Sequence, residues 1–187
     1  MTTPDMTFQL IDGLQAAEHA TDLQALHAEV YADLPQQRDD NAALFADSFR
    51  VQRRQPGFVL AEARRGGYLL GYAAGMPLRP STSWWRNLTT PLPDEITAEY
   101  PGRTFALIEL LVRASWRRQG IGQTLHDLIL RNRREERATL TVSPSATAAQ
   151  SAFHSWGWRK IARTRDLASP GSAALDVLVT ALQEARR

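Results

Sequence analysis

Apolar positions along the chain fall into blocks with two different periods. Residues 8–14 are short and apolar and predict a first strand. Over 22–34, Leu23, Leu26, Val30 and Leu34 recur at helical spacing, with Thr21 or Asp22 placed to cap the helix and Pro35 to stop it. Residues 39–55 predict a second helix on Leu44, Phe45, Phe49 and Val51, ended by Pro56-Gly57. Segments 57–64 and 68–78 read as two strands joined by a Gly66-Gly67 hairpin turn. The strongest strand covers 104–113, where Phe105, Leu107, Ile108, Leu110, Leu111 and Val112 suit a central strand buried on both faces. A helix over 120–133 follows, with its apolar stripe on Ile121, Leu125, Leu128 and Ile129. Residues 138–143 predict a strand, and 145–156 a short helix closed by Gly157. Segments 158–165 and 175–182 read as the last strands, with a C-terminal helix as the alternative for the second.

The segment 80–103 breaks the pattern. It carries Pro80, Pro91, Pro93 and Pro101, the pair Trp84-Trp85, and the acids Asp94, Glu95 and Glu99. A stretch this long without regular structure is either functional or disordered, and its aromatics argue against disorder. It reads as an insertion with a short helix near 93–100, folded over a site. The whole order, β-α-α-β-β-β-α-β-α-β-β, predicts an α/β (mixed α+β) class, with helices on both sides of a mixed sheet. The length of 187 residues fits a single domain spanning 1–187.

Composition then narrows the chemistry. The chain has no cysteine, which excludes disulfides, thiolate metal sites and any Cys nucleophile. The charge balance is 22 basic to 20 acidic residues, so no nucleic-acid partner is expected without a clustered basic face. The N-terminus lacks a basic start and apolar run, and no stretch approaches the length of a membrane span. A cytoplasmic protein without a membrane partner is therefore expected. Neither a His-x-x-x-His pair nor a carboxylate cluster points to a metal, and no Gly-x-Ser-x-Gly elbow points to a hydrolase.

The informative stretch is 107–122. Five residues after the strand ends at Val112 comes Arg117-Arg118-Gln119-Gly120-Ile121-Gly122, where a helix begins. Glycines let a ligand approach the backbone, and a helix N-terminus offers unpaired N–H groups and partial positive charge, a combination suited to pyrophosphate. On Gly-x-Gly alone, a tight strand–helix turn with no ligand is the alternative. A P-loop is excluded because Gln123-Thr124 follows Gly122, and a dinucleotide fingerprint because Leu125 stands where a third Gly is needed.

The wider pattern, Arg117-x-x-Gly120-x-Gly122 after Leu110-Leu111-Val112, resembles the signature of the GNAT superfamily of N-acetyltransferases. Thr139-Leu140-Thr141-Val142 looks like that family's fifth strand, Ala148 to Phe153 like its fourth helix, and Trp156-Gly157-Trp158 occupies the place of its Gly-Phe. The resemblance covers about 58–165. It implies a central, mostly antiparallel twisted sheet and acetyl-CoA as co-substrate. It assigns the pyrophosphate to the amides of Arg118, Gln119, Gly120, Ile121, Gly122 and Gln123. It assigns the pantetheine arm to the strand edge at Leu111, Val112 and Arg113, with Phe153 also on the cofactor side. Arg117 either assists a phosphate or forms a salt bridge.

Without cysteine, an acyl-thiolate route is closed, and direct attack of an acceptor amine on the thioester is expected. An alkyl ammonium with a pKa near 10.4 costs roughly 4.6 kcal/mol to be neutral at pH 7, so a base matters. Glu109, the one acid in an apolar strand, is that candidate; a strand-face residue paired with an arginine is its other reading. The family's acid Tyr is replaced by Phe153, and the adjacent His154 is either catalytic or a surface histidine. His19, His27 and His126 are set aside as poor candidates. Trp84, Trp85 and Glu109 are expected on the acceptor, between the early helices and the 80–103 insertion; core or lid packing is the alternative for the tryptophans. The acids of the insertion either attract an ammonium or are solvated. The expected acceptor is a small-molecule or peptide amine, and the expected state a monomer or homodimer. A non-catalytic CoA-binding or protein-interaction module is the alternative function.

Overall fold

A computed structural model describes residues 5–32, 41–165 and 174–182. In chain order the elements are β1 (Met6–Asp12), α1 (Gly13–Glu18), α2 (Ala20–Tyr31), α3 (Asn41–Gln52), β2 (Val59–Arg65), β3 (Tyr68–Pro77) and α4 (Asp94–Thr97). Then follow β4 (Thr104–Val112), a 3-10 turn at Ala114–Trp116, α5 (Ile121–Leu130), β5 (Arg137–Val142), α6 (Thr147–Ser155), β6 (Arg159–Thr164) and β7 (Leu175–Ala181). The fold is mixed α/β. Its seven strands form a mostly antiparallel sheet in the order β1-β2-β3-β4-β5-β7-β6, with β4 and β5 running parallel.

Two boundaries and one buried position differ from the sequence expectation. The first strand stops at Asp12 rather than running to Leu14, because Asp12 opens a helix there. Its carboxylate accepts from the amides of Leu14 and Gln15 at 2.9 Å, and the Gln15 side chain accepts from the Asp12 amide at 3.2 Å. This reciprocal capping box creates α1, an element the apolar spacing did not reveal. The next helix starts at Ala20, with His19 rather than Thr21 or Asp22 at its cap; the expected positions of Leu34, Pro35 and Asp39 lie outside the described residues. Val51 is exposed. It stands about 200° around α3 from Phe49, so the buried face runs instead through Phe45 and Phe49, one turn apart. The last element is a strand: Leu175–Ala181 pairs antiparallel with both β5 and β6, which settles the strand-or-helix alternative.

The chain divides into two compact units, residues 1–76 with 107–133 and residues 77–106 with 134–187. In the first unit, β1, β2, β3 and the second half of β4 carry helices on both faces. Leu60, Tyr72, Ala74 and Leu111 pack with Leu23 and Leu26 of α2 and Phe49 of α3. The alternate position, Gly71, looks the other way: a Cβ there would stand 3.3 Å from Leu125 of α5 and 2.7 Å from the Leu111 carbonyl. Side chains alternate between faces along a strand, so residues 60 and 62 of β2, and 109 and 111 of β4, share the face covered by α1–α3.

The second unit contains the first half of β4, then β5, β7 and β6. Its core gathers Leu78, Trp85, Ala106, Val177 and Val179. The parallel register of β4 on β5 covers Thr104–Ala106. Segment 80–103 is folded here, with α4 at the place the sequence indicated, and residues 87–89 bond along β6: Thr89 N–H donates to the Arg163 carbonyl at 2.8 Å and Arg165 N–H to the Asn87 carbonyl at 3.0 Å. That pairing covers an edge strand, which otherwise invites association. Among the described residues no helix is long and apolar enough to cross a membrane.

Candidate functional site

The end of β4 and the turn behind it lie in the first unit. Arg113 N–H donates to the Leu70 carbonyl at 2.9 Å, closing the strand, and the chain then turns through Ala114–Trp116. Arg118 has φ 64° and Gly120 φ 81°. A left-handed non-glycine costs about 1 kcal/mol and is tolerated where surroundings enforce it. Arg117 helps enforce it, since its Nε donates to the Val112 carbonyl at 3.0 Å and folds the turn back on the strand. The Gln119 side chain donates from Nε2 to the Ser115 carbonyl at 3.4 Å.

Gly120 caps α5 without a side-chain acceptor. The first amide bonded within the helix is Thr124, to the Gly120 carbonyl at 3.0 Å. The N–H groups of Ile121, Gly122 and Gln123 therefore have no intrahelical acceptor, and the helix dipole adds positive potential there. Gly120, Gln119 and Arg118 are exposed beside them, while Ile121 is buried and anchors the helix. The residues present thus fit a pyrophosphate. Gly71 lets β3 approach the Leu111–Val112 end of β4 closely; a methyl group there would collide with the Leu111 carbonyl.

Arg113 ends the strand with its side chain committed. Its Nε donates to the Leu69 carbonyl at 2.7 Å, its guanidinium lies over the Tyr68 ring at 4.4 Å, and it pairs with Glu29 of α2. Its backbone is engaged as well, the N–H on Leu70 and the carbonyl accepting from the Trp116 N–H at 2.9 Å, which leaves the second lone pair of that carbonyl for a ligand.

Glu109 sits on β4, three residues before Val112, on the face covered by α2. Tyr31 donates its hydroxyl to Glu109 Oε1 at 2.8 Å. His27 Nε2 stands 3.9 Å from Oε2, too far for a hydrogen bond. The two helix residues are one turn apart and their rings touch, with centroids 4.5 Å apart; Phe45 of α3 packs on the other side of His27 at 4.6 Å. The Glu109 side chain keeps 21 % of its surface exposed. Among the described residues no arginine or lysine pairs with it. Burial pushes its carboxyl up to about 7, and the Tyr31 hydrogen bond pulls the other way. Burial holds His27 below its ordinary value, so it is neutral near pH 7. Tyr31 is pushed far up by burial and by the carboxylate it bonds, so it acts as a donor. The Tyr72 hydroxyl, on β3, is buried and finds no hydrogen-bond partner among the described residues.

His27, a poor candidate by sequence, and Tyr31, which the apolar spacing does not mark, thus flank the carboxylate. The signal that could have found them is their i, i+4 relation beside the Leu23, Leu26, Val30 stripe, since such pairs share a helix face.

The remaining candidates lie in the second unit. Trp85 is buried, and its indole N–H donates to Glu99 at 3.0 Å. Glu99 also accepts from Thr104 at 2.8 Å and Arg137 at 3.0 Å, and Arg137 stacks on Trp85 at 5.2 Å. This knot fixes the insertion, so Trp85 packs in the core and Glu99 is neutralised rather than presented to an ammonium. Trp84 packs against the same core. Phe153 is buried edge-on against Trp158 at 5.8 Å, and His154 is exposed on α6. Among the described residues no group of His, Asp and Glu could hold a metal.

The model of the acetyltransferase (GNAT) family matches residues 18–158. Among curated proteins, none matches the chain by sequence. Solved structures do match. A ribosomal-protein-alanine N-acetyltransferase from Brucella melitensis is 16 % identical with a TM-score of 0.63, covering 94 % of this chain and 99 % of its own. Ard1 from Thermoplasma volcanium is 15 % identical with a TM-score of 0.63, covering 96 % and 99 %. PaiA N-acetyltransferase from Thermoplasma acidophilum, in complex with coenzyme A, is 10 % identical with a TM-score of 0.59, covering 95 % and 99 %. At such identities these likenesses speak for the fold.

Proposed function

The chain belongs to the GNAT acetyltransferase family, and from that premise we propose that it transfers an acetyl group from acetyl-CoA to the primary amine of a small molecule or peptide, with Glu109 as the base. The observation that carries this reading is a carboxylate without a cationic partner among the described residues, raised to about 7, three residues before the strand end that leads into the amide turn. A base poised near the working pH combines a usable ionised fraction with enough basicity to take a proton.

Bound acetyl-CoA would supply the acyl group as a thioester. The amides of Ile121, Gly122 and Gln123, with the turn Arg118–Gly120, would hold its pyrophosphate, and the backbone at Leu111, Val112 and Arg113 its pantetheine arm. Arg117 braces the turn by its bond to Val112, which accounts for it without a direct phosphate contact. Glu109 Oε2, the carboxylate oxygen not bonded to Tyr31, would accept the proton of the amine. The lack of any cysteine closes a route through an acyl-thiolate, and direct attack of the amine on the thioester is the simpler scheme that remains. Phe153 cannot donate a proton to the leaving thiolate, so that role passes to water or goes unfilled.

Two measurements test this. Thermal melts with acetyl-CoA at 100 times its dissociation constant should show about 2.7 kcal/mol of stabilisation; no shift with acetyl-CoA, CoA or longer acyl-CoA removes the co-substrate. Thiol release over a panel of primary amines should exceed the amine-free rate; binding without transfer to any amine assigns the protein instead as a CoA-binding module.

A further inference from the structure

Glu109 has three rotatable side-chain bonds, so a base at this position needs something to aim it. Among the described residues, the groups that face it are Tyr31 and His27 from α2 and Tyr72 from β3, with the apolar Phe45 against His27 on α3. Of these, only Tyr31 is bonded to the carboxylate, and to one oxygen alone. The helix that carries Tyr31 is tied down at both ends. Near its start, Asp22 pairs with Arg64 at 2.8 Å, and His19, just before it, meets Glu62 at 3.0 Å. Near its end, Glu29 pairs with Arg113, the residue that closes β4. The hydroxyl of Tyr31 is thus held at a fixed point relative to the strand on which Glu109 stands.

We propose that Tyr31 is a positioning residue: its hydroxyl holds Glu109 Oε1, leaving Oε2 aimed at the amine. This rests on the reading of Glu109 as base. A donated hydrogen bond favours the ionised carboxylate over the acid, so it offsets the burial that pushes Glu109 upward. No group of the cofactor turn takes part.

The test needs no acceptor and no acetyl-CoA. Full-length protein labelled with glutamate carrying ¹³C at the carboxyl carbon is titrated by NMR, with the Glu109 signal assigned by its loss in Glu109→Gln. Tyr31→Phe keeps the ring on His27 and removes only the hydroxyl. It should raise the Glu109 midpoint by about one pH unit, the worth of one charge-assisted hydrogen bond. Tyr72→Phe removes a neighbouring hydroxyl that is not bonded to Glu109, and should move the midpoint by less than about 0.3 unit. An unmoved midpoint in Tyr31→Phe, or an equal shift in Tyr72→Phe, overturns the proposal. With an accepted amine in hand, the acidic limb of kcat/KM should move upward with the Tyr31→Phe midpoint. If that limb persists in Glu109→Gln, it belongs to the amine, and the base assignment fails while the titration result stands.

Discussion

Two glutamates of the first unit lie on the same sheet face, under the same helix, and have opposite characters. Glu62 on β2 is fully buried. Burial pushes its carboxyl up, but hydrogen bonds from Arg64 and Gln9 and the charges of Arg64 and His19 outweigh it and hold the group below the usual range. Glu109 on β4 is less completely covered, yet it has one neutral hydroxyl for a partner, and burial prevails. The start of α2 therefore sits over a carboxylate held by cations and its end over the one proposed as base. Burial alone does not single out a candidate acid or base; burial that no cation offsets does.

The comparison can be broken most sharply at Glu62. Glu62→Gln leaves Arg64, whose side chain is only 15 % exposed, with Asp22 as its remaining ionic partner. Stability should fall by about 3 kcal/mol, the lower end for a broken buried pair, read as the midpoint of urea unfolding. A loss below about 1 kcal/mol would mean the ion pair holds nothing together.

Glu109→Gln should do the reverse. The folded-state value of about 7 lies above the unfolded value near 4.5, so the stability linked to this group is complete below pH 4.5 and is lost as pH rises through 7. Removing the charge should stabilise the protein at pH 8 by about 2 kcal/mol, after allowing for screening of a partly exposed group, and leave stability at pH 4.5 little changed. Unfolding midpoints of both proteins across that range check it. Glu62 has the opposite sign: its lowered value contributes stability above the unfolded value, lost as pH falls through the folded one.

The smallest effect concerns the turn. Gly120→Ala forces a methyl-bearing residue to φ 81° in open space, and should cost about 1 kcal/mol of stability while weakening acetyl-CoA binding measured by calorimetry. Unchanged binding would detach the turn from the pyrophosphate.

Much of this was legible in the sequence. The strands and long helices followed from apolar period, and the turn with free helix-start amides from Arg117-x-x-Gly120-x-Gly122 after a strand. Glu109 stood out as a charge inside an apolar run. What the sequence did not show depends on which helix faces meet which strands. Tyr31 and His27 are ordinary helix residues until α2 lies across β4, and Glu62 resembles any polar position of a two-faced strand until Arg64 and His19 close around it. Trp85 looked like a binding wall because aromatics in an irregular segment often are; Glu99 and Arg137, 38 residues apart, lock it into the core instead.

The central claim is that Glu109 acts on the amine and not on the acetyl-CoA. It is tested most directly by measuring, for wild type and Glu109→Gln, the turnover of an accepted amine alongside the dissociation constant of acetyl-CoA. Turnover should fall about 100-fold or more with the dissociation constant unchanged within about twofold. Unaltered turnover, or a loss of turnover matched by an equal loss of acetyl-CoA affinity, would contradict it.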